Sequence, residues 1–274
     1  MPNKYAVKNG QLIPQAKANI SVYNKALFFD FAVYSNIKVV AKKMFWPELE
    51  IEKLFDSASL IGLKHQFKTK AVVGWAKDLI KKNKLENALI RVLLIGPEMG
   101  TAPILFLFDV GLTFYPDNFY RKGVKVITCC GERFLPMAKT KNLLMQYLAY
   151  DQAAKANALD ALLIDDNGNI NGGTRSSFFA IKNNTLISSP ESKVLAGVTQ
   201  KIILAIAPKI MKVKIADIAL AQIKDYDEYF LTATTLNVMP VRQIDELVLA
   251  QSVGEKTKAL MRLFKEYCAK KMRS

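Results

Sequence analysis

The chain has 274 residues, enough for one large domain or two medium ones with real cores, and no apolar run in it approaches the roughly 20 residues of a membrane helix. At 51% apolar and 23% charged residues, its composition is ordinary for a soluble globular protein. The net charge of +15 invites nucleic acid. However, the lysines spread from Lys42–Lys43 to Lys270–Lys271 without a basic stripe among aromatics or a helix-turn-helix or zinc-finger spacing, so no nucleic-acid and no membrane partner is expected.

The first residues, "MPNKYAVKNG", show no pattern of a secretory signal. "KYAVKNGQLIP" alternates around Asn9-Gly10, a pair favoured in tight hairpin turns. Val33 to Phe45 alternates at period two, as a strand does. Pro47 opens a helix at its first turn, and Ile51, Leu54, Phe55, Ala58 and Ile61 fall on one stripe of it. A second amphipathic helix covers roughly Lys70 to Lys82, and "ALIRVLLIG" and "PILFLFDV" then read as buried strands. His65, the single histidine, makes a histidine metal site untenable and would have to serve any Ser-His-Asp triad; it reads as a surface or helix-end residue.

"LTFYPDNFYRKG" breaks the pattern with Pro116, Asp117, Asn118 and Gly123. This divides the chain into an N-terminal domain over 1–115, a linker over 116–123 and a C-terminal domain over 124–274. A strand "VKVITCC" follows, with Cys129 and Cys130 on opposite faces. With Cys268 they make no disulfide framework, which fits a reducing cytoplasm. "NLLMQYLAYDQAAKANA" reads as a helix, Asn167-Gly168 and Asn183-Asn184 as hairpin turns, "VTQKIILAIAPKI" as a helix after Gly197, and "EYFLTATT" as a strand. The tail from about Val253 to Lys271 is a helix with Leu260, Leu263, Phe264 and Tyr267 on one face.

The stretch "GNINGGTRSSFF" (Gly168 to Phe179) holds a double glycine. It is no Walker loop, because no Gly-Lys-Thr follows, and no dinucleotide loop, because it opens no helix. Taken alone it is a hairpin turn. The order of features says more: "ISVYNKALFFDFAVYSNIKVV", then "MAKTKNLLMQYLAYDQ", then "ALLIDDNGNINGGTRSSFF", "LAGVTQKII" and "DEYFLTATTLNVMPVRQID". From about Tyr5 to Ile244 this succession resembles the class IV pyridoxal-phosphate enzymes, which comprise branched-chain aminotransferases, D-amino acid aminotransferases and aminodeoxychorismate lyases.

The resemblance implies a two-domain fold mixing α/β and α+β layers: a smaller N-terminal α/β domain, a larger barrel-like C-terminal one, and pyridoxal 5'-phosphate in the cleft between them. It implies a cytoplasmic homodimer acting on an amino acid or keto acid, with no metal. Lys139 falls at the family's Schiff-base lysine, which forms an imine with the cofactor aldehyde and moves the substrate's α proton. Val198, Thr199 and Thr234 match the phosphate contacts, the first two at a helix N-terminus. Lys53 stands where the family has a phosphate-binding arginine, keeping the charge but not the bidentate fork. Gly172 replaces the glutamate that pairs with the ring nitrogen, and Ser177 replaces an asparagine. Without that glutamate the electron sink is weaker, so transamination should be atypical. An aminodeoxychorismate-type lyase or a degenerate member is the alternative, and Gly172→Glu is expected to raise transamination. Tyr34 matches an aromatic lining the substrate side; Arg91, Arg133 and Arg175 are candidates to bind substrate, and Arg175 or Asn171 is the candidate to compensate at the ring.

Overall fold

The hairpin signal at Asn9-Gly10 starts an antiparallel sheet in the computed structural model, which describes residues 4–97 and 101–273. Strands β1 (Tyr5–Lys8) and β2 (Gln11–Pro14) meet at Asn9 and Gly10, with φ of 48° and 88°. The short helix α1 (Lys25–Phe28) begins at Asn24, whose side chain accepts the Ala26 N–H. The alternating run 33–45 is a hairpin: β3 (Ala32–Val40) turns at Ala41 and Lys42, both at positive φ, into β4 (Lys43–Phe45). Helices α2 (Pro47–Leu60) and α3 (Thr69–Asn83) follow, then β5 (Ala88–Ile95) and β6 (Ile104–Asp109).

The strand order is β2-β1-β6-β5-β3-β4, antiparallel throughout. Ile51, Leu54 and Ala58 of α2 and Val72, Ala76 and Leu79 of α3 bury against Ile37, Ile90 and Val92 of the sheet. Each fully buried Leu or Ile contributes about 1.5–3 kcal/mol, so this interface is the main stabilising feature of the first unit.

The second unit comprises 114–137 and 143–274; residues 138–142 belong to the first, which otherwise ends at Thr113. The stretch read as a linker contains helix α4 (Asp117–Lys122), part of the second unit, where the Tyr120 hydroxyl donates to the Leu236 carbonyl at 3.2 Å. Pro116 before it, Asp117 in its first turn and Gly123 (φ 76°) after it are start and stop signals rather than mere breakers. Then come β7 (Val124–Cys130), α5 (Leu144–Lys155), β8 (Ala161–Ile164), β9 (Ile170–Gly173), β10 (Ser177–Lys182) and β11 (Thr185–Ser188). Helix α6 (Val198–Ile206), β12 (Lys212–Ile215), β13 (Glu228–Ala233), β14 (Asn237–Ile244), β15 (Leu247–Val248) and α7 (Glu255–Arg273) complete it.

The sheet order is β12-β11-β10-β13-β14-β7-β8-β9, with β15 on β14. β9 ends this path, yet its Ile170 carbonyl accepts from the Ser189 hydroxyl just past β11, near the other end. The sheet therefore curls round on itself, enclosing Val126, Leu162, Ile170, Phe178, Leu231 and Met239. All three cysteines are free, and among the described residues no helix is long and apolar enough to cross a membrane.

His65 is more than a surface residue. Its ring lies 4.2 Å from that of Phe55 and 5.9 Å from that of Phe67, and Nδ1 is buried without a hydrogen-bond partner among the described residues. Burial first, and then the charge of Lys68, push its pKa below the ordinary value. The unfolded chain therefore binds the proton more readily, and the stability His65 contributes is present above about pH 6.5 and lost as pH falls below it. Urea denaturation at pH 7.5 and 5.5 should show a smaller loss of stability on acidification for His65→Gln than for the parent; equal losses would count against this role.

Candidate functional site

In the first unit the segment around Lys139 is fixed by its main chain. The Tyr34 N–H donates to the Lys139 carbonyl at 3.0 Å, and the Lys141 N–H to the Ala32 carbonyl at 2.9 Å, so Val33 and Thr140 form an antiparallel bridge. The segment thus takes up the start of β3, which β4 leaves free because it pairs only with Lys38 to Val40. The Lys139 N–H also donates to the buried Ser57 hydroxyl at 3.0 Å, which donates to the Lys53 carbonyl at 2.8 Å. One side chain on α2 thereby ties the lysine segment to the turn that carries Lys53.

The Lys139 Nζ lies 4.7 Å from the centre of the Tyr34 ring, and the Arg91 guanidinium 5.0 Å from the same centre. Arg91 is steadied across the strand pair by donating Nε to Asn36 Oδ1 at 3.2 Å. Two cations sharing one aromatic ring make a locale that attracts an anion. Lys139, Tyr34 and Arg91 are therefore brought together, with Lys53 linked to them through Ser57. Buried Glu50 on α2 accepts the Ser35 hydroxyl at 2.6 Å, a contact that no sequence signal announces.

In the second unit the double glycine has a steric cause. Gly172 has φ of 90°, and a Cβ on it would lie 2.9 Å from the Ser176 carbonyl oxygen. A Cβ on Gly173 would collide with the Ser176 hydroxyl and the Asp160 carboxylate. Asp160, fully buried, accepts from the Ala161 and Thr174 N–H groups and from the Thr174 and Ser176 hydroxyls. The backbone at 172 is thus shaped for glycine, and a carboxylate side chain does not fit there without moving β9.

Two arginines read as substrate candidates are otherwise engaged. Arg133 Nη2 donates to the carbonyls of Gly173 at 3.2 Å and Thr174 at 2.6 Å, so it braces the double-glycine strand. Arg175 is exposed, stacks on Tyr150 at 4.2 Å and donates to its hydroxyl at 3.1 Å.

Helix α6 starts at Gly197 with no side-chain cap and no acidic residue in its first turn, which leaves its N-terminus attractive to an anion. Val198 and Thr199 are buried there. Thr234 directly follows β13 and is half-buried. Sequence reasoning missed Ser57, Asp160 and Gln200, since a lone Ser, Asp or Gln carries no local signature.

Residues 32–244 match the model of a family described as Amino-transferase class IV. The chain is 27% identical over 273 residues to a D-alanine aminotransferase of Staphylococcus epidermidis, covering 94% of this chain and 96% of the relative. Its fold matches the crystal structure of the Escherichia coli branched-chain amino acid aminotransferase with a TM-score of 0.88 at 21% identity, over 97% and 95% of the two chains. It matches equally, at 0.88 and 23% identity over 96% and 93%, the T.th. branched-chain amino acid aminotransferase with pyridoxamine 5'-phosphate.

The positive φ and close approach at position 172 set a steric cost against the expected gain in transamination of Gly172→Glu. Gly172→Ala and Gly172→Glu should each lower stability by about 1–3 kcal/mol in urea denaturation. A Gly172→Glu protein as stable as the parent would show that β9 yields to a side chain. Ser57→Ala, which strips the Lys139 N–H of its acceptor, should cost a similar amount, about 1–3 kcal/mol.

Proposed function

The chain belongs to the amino-transferase class IV family, and from that premise we propose that it is a pyridoxal-phosphate-dependent aminotransferase acting on an amino acid, with Lys139 as the residue that bonds the cofactor. The observation that carries this reading is the fixed position of Lys139: its N–H and carbonyl are both hydrogen-bonded, and its amine sits over Tyr34. When bound, the cofactor supplies an electron sink for charge at the amino acid Cα. Lys139 would take up and give back the α proton of the amino acid, a general base and acid in turn. Arg91, held beside Tyr34, attracts the substrate carboxylate.

The phosphate end fits this chain. In the second unit the uncapped start of α6 offers the N–H groups of Val198 and Thr199, the Thr199 hydroxyl adds a donor, and Thr234 a second hydroxyl. Position 172 fits less well, because it offers no carboxylate to the ring nitrogen. That observation favours a second reading, a lyase of the aminodeoxychorismate type or a member with little turnover, on the same lysine. We further propose a homodimer; Tyr23, Phe28 and Phe29, each more than 70% exposed on the first unit, supply an apolar surface suited to a second copy.

Mixing the protein with pyridoxal phosphate should give a visible band that borohydride abolishes, and Lys139→Ala should give none. No band from the parent protein would overturn both readings. With the band present, a panel of L- and D-amino acids should convert the cofactor to its amino form. A band that no donor converts would transfer the assignment to the lyase or low-turnover reading.

A further inference from the structure

We propose that Gln200 is a positioning residue that aims the start of α6 at an anion. This rests on the reading that α6 receives the cofactor phosphate. Gln200 lies in the first turn of α6 directly after Thr199, and it is 2% exposed. Both ends of its amide are used. Oε1 accepts from the Ser177 hydroxyl of β10 at 3.0 Å, and Nε2 donates to the Ser188 hydroxyl of β11 at 3.1 Å. Ser188 is the register partner of Phe179 on β10, so the amide clamps the helix start to two neighbouring strands at once.

A second feature points the same way. Thr232 of β13 is the register partner of Ser177, so the two side chains stand on one face of the sheet, under the first turn of α6. Thr232 is 1% exposed, and its hydroxyl has no hydrogen-bond partner among the described residues. A buried hydroxyl without a partner is a group held ready for a ligand or for the turn above it.

The clamp is neutral. A carboxylate at position 200 would oppose an anion at the helix start, and an exposed cap would compete for the same N–H groups. An amide anchored from below does neither: it fixes the orientation of the Val198 and Thr199 N–H groups, and among the described residues no side-chain cap hydrogen bond competes for the start of the helix. A merely structural glutamine would stabilise the fold without discriminating between ligands. A positioning glutamine acts on the phosphate-bearing ligand alone.

The test measures dissociation constants, by absorbance of the lysine adduct, for pyridoxal 5'-phosphate and for pyridoxal, which shares the aldehyde and ring but lacks the phosphate. The parent should prefer the phosphorylated form. Gln200→Met, similar in volume, should bind pyridoxal as the parent does and lose about five- to tenfold for pyridoxal phosphate, the worth of roughly one hydrogen bond. If Gln200→Met does not fold, Ser188→Ala, which removes one anchor only, carries the same comparison. Combining the two substitutions should cost no more than Gln200→Met alone, because both break one clamp. A parent without preference for the phosphorylated form would overturn the phosphate reading of α6. A parent with that preference, and a Gln200→Met protein that keeps it in full, would overturn the role of Gln200.

Discussion

The site depends on one constraint: the main chain at Lys139 is held by three hydrogen bonds to two different elements. β3 holds it through the Lys139 carbonyl and the Lys141 N–H, on either side of Thr140, and α2 holds the Lys139 N–H through Ser57. A lysine side chain has a flexible four-carbon stem and high rotamer entropy, so placing its amine depends on the backbone being fixed first. The Tyr34 face then restrains the amine itself. Because Tyr34 also faces Arg91, the geometry that steadies the Lys139 amine brings two basic side chains to the same ring.

The second unit solves a different problem, that of burying polar groups in a curled sheet. Asp160 is satisfied by four donors, and the strand that brings Thr174 and Ser176 to it must pass so close that positions 172 and 173 admit no side chain. Arg133 closes the same strand from its carbonyl side. The absence of a carboxylate at 172 is therefore built into the packing and is not an isolated substitution.

Much of the fold was legible because its punctuation is local. Asn9-Gly10, Asn183-Asn184 and Gly168 announce positive φ in the residue types that tolerate it. Ala41 and Lys42 turn β3 into β4 in the same conformation without any such residue, so the hairpin hides inside one alternating run. Helix α4 was hidden differently: Pro116, Asp117 and Gly123 serve equally as breakers or as caps, and only packing such as that of Tyr120 on Leu236 decides. Among the candidate residues, order along the chain pointed to Lys139, Thr199 and the glycine pair. The roles of Arg133 and Gln200 were not readable, because an arginine facing main-chain carbonyls and a glutamine bridging two strands look like any charged or helical residue until distant segments meet.

The path of the chain has a consequence for how this protein can be divided. The first unit is discontinuous: after Thr113 the chain builds part of the second unit, returns for Ala138–Asn142, and leaves again. A gene fragment cut after residue 113 would thus encode a six-stranded sheet without the lysine segment that belongs on it, and a chimaera joined there would take Lys139 from the other parent. Recombination between relatives is consequently constrained to exchange β3 and the lysine segment together, although about a hundred residues of chain separate them.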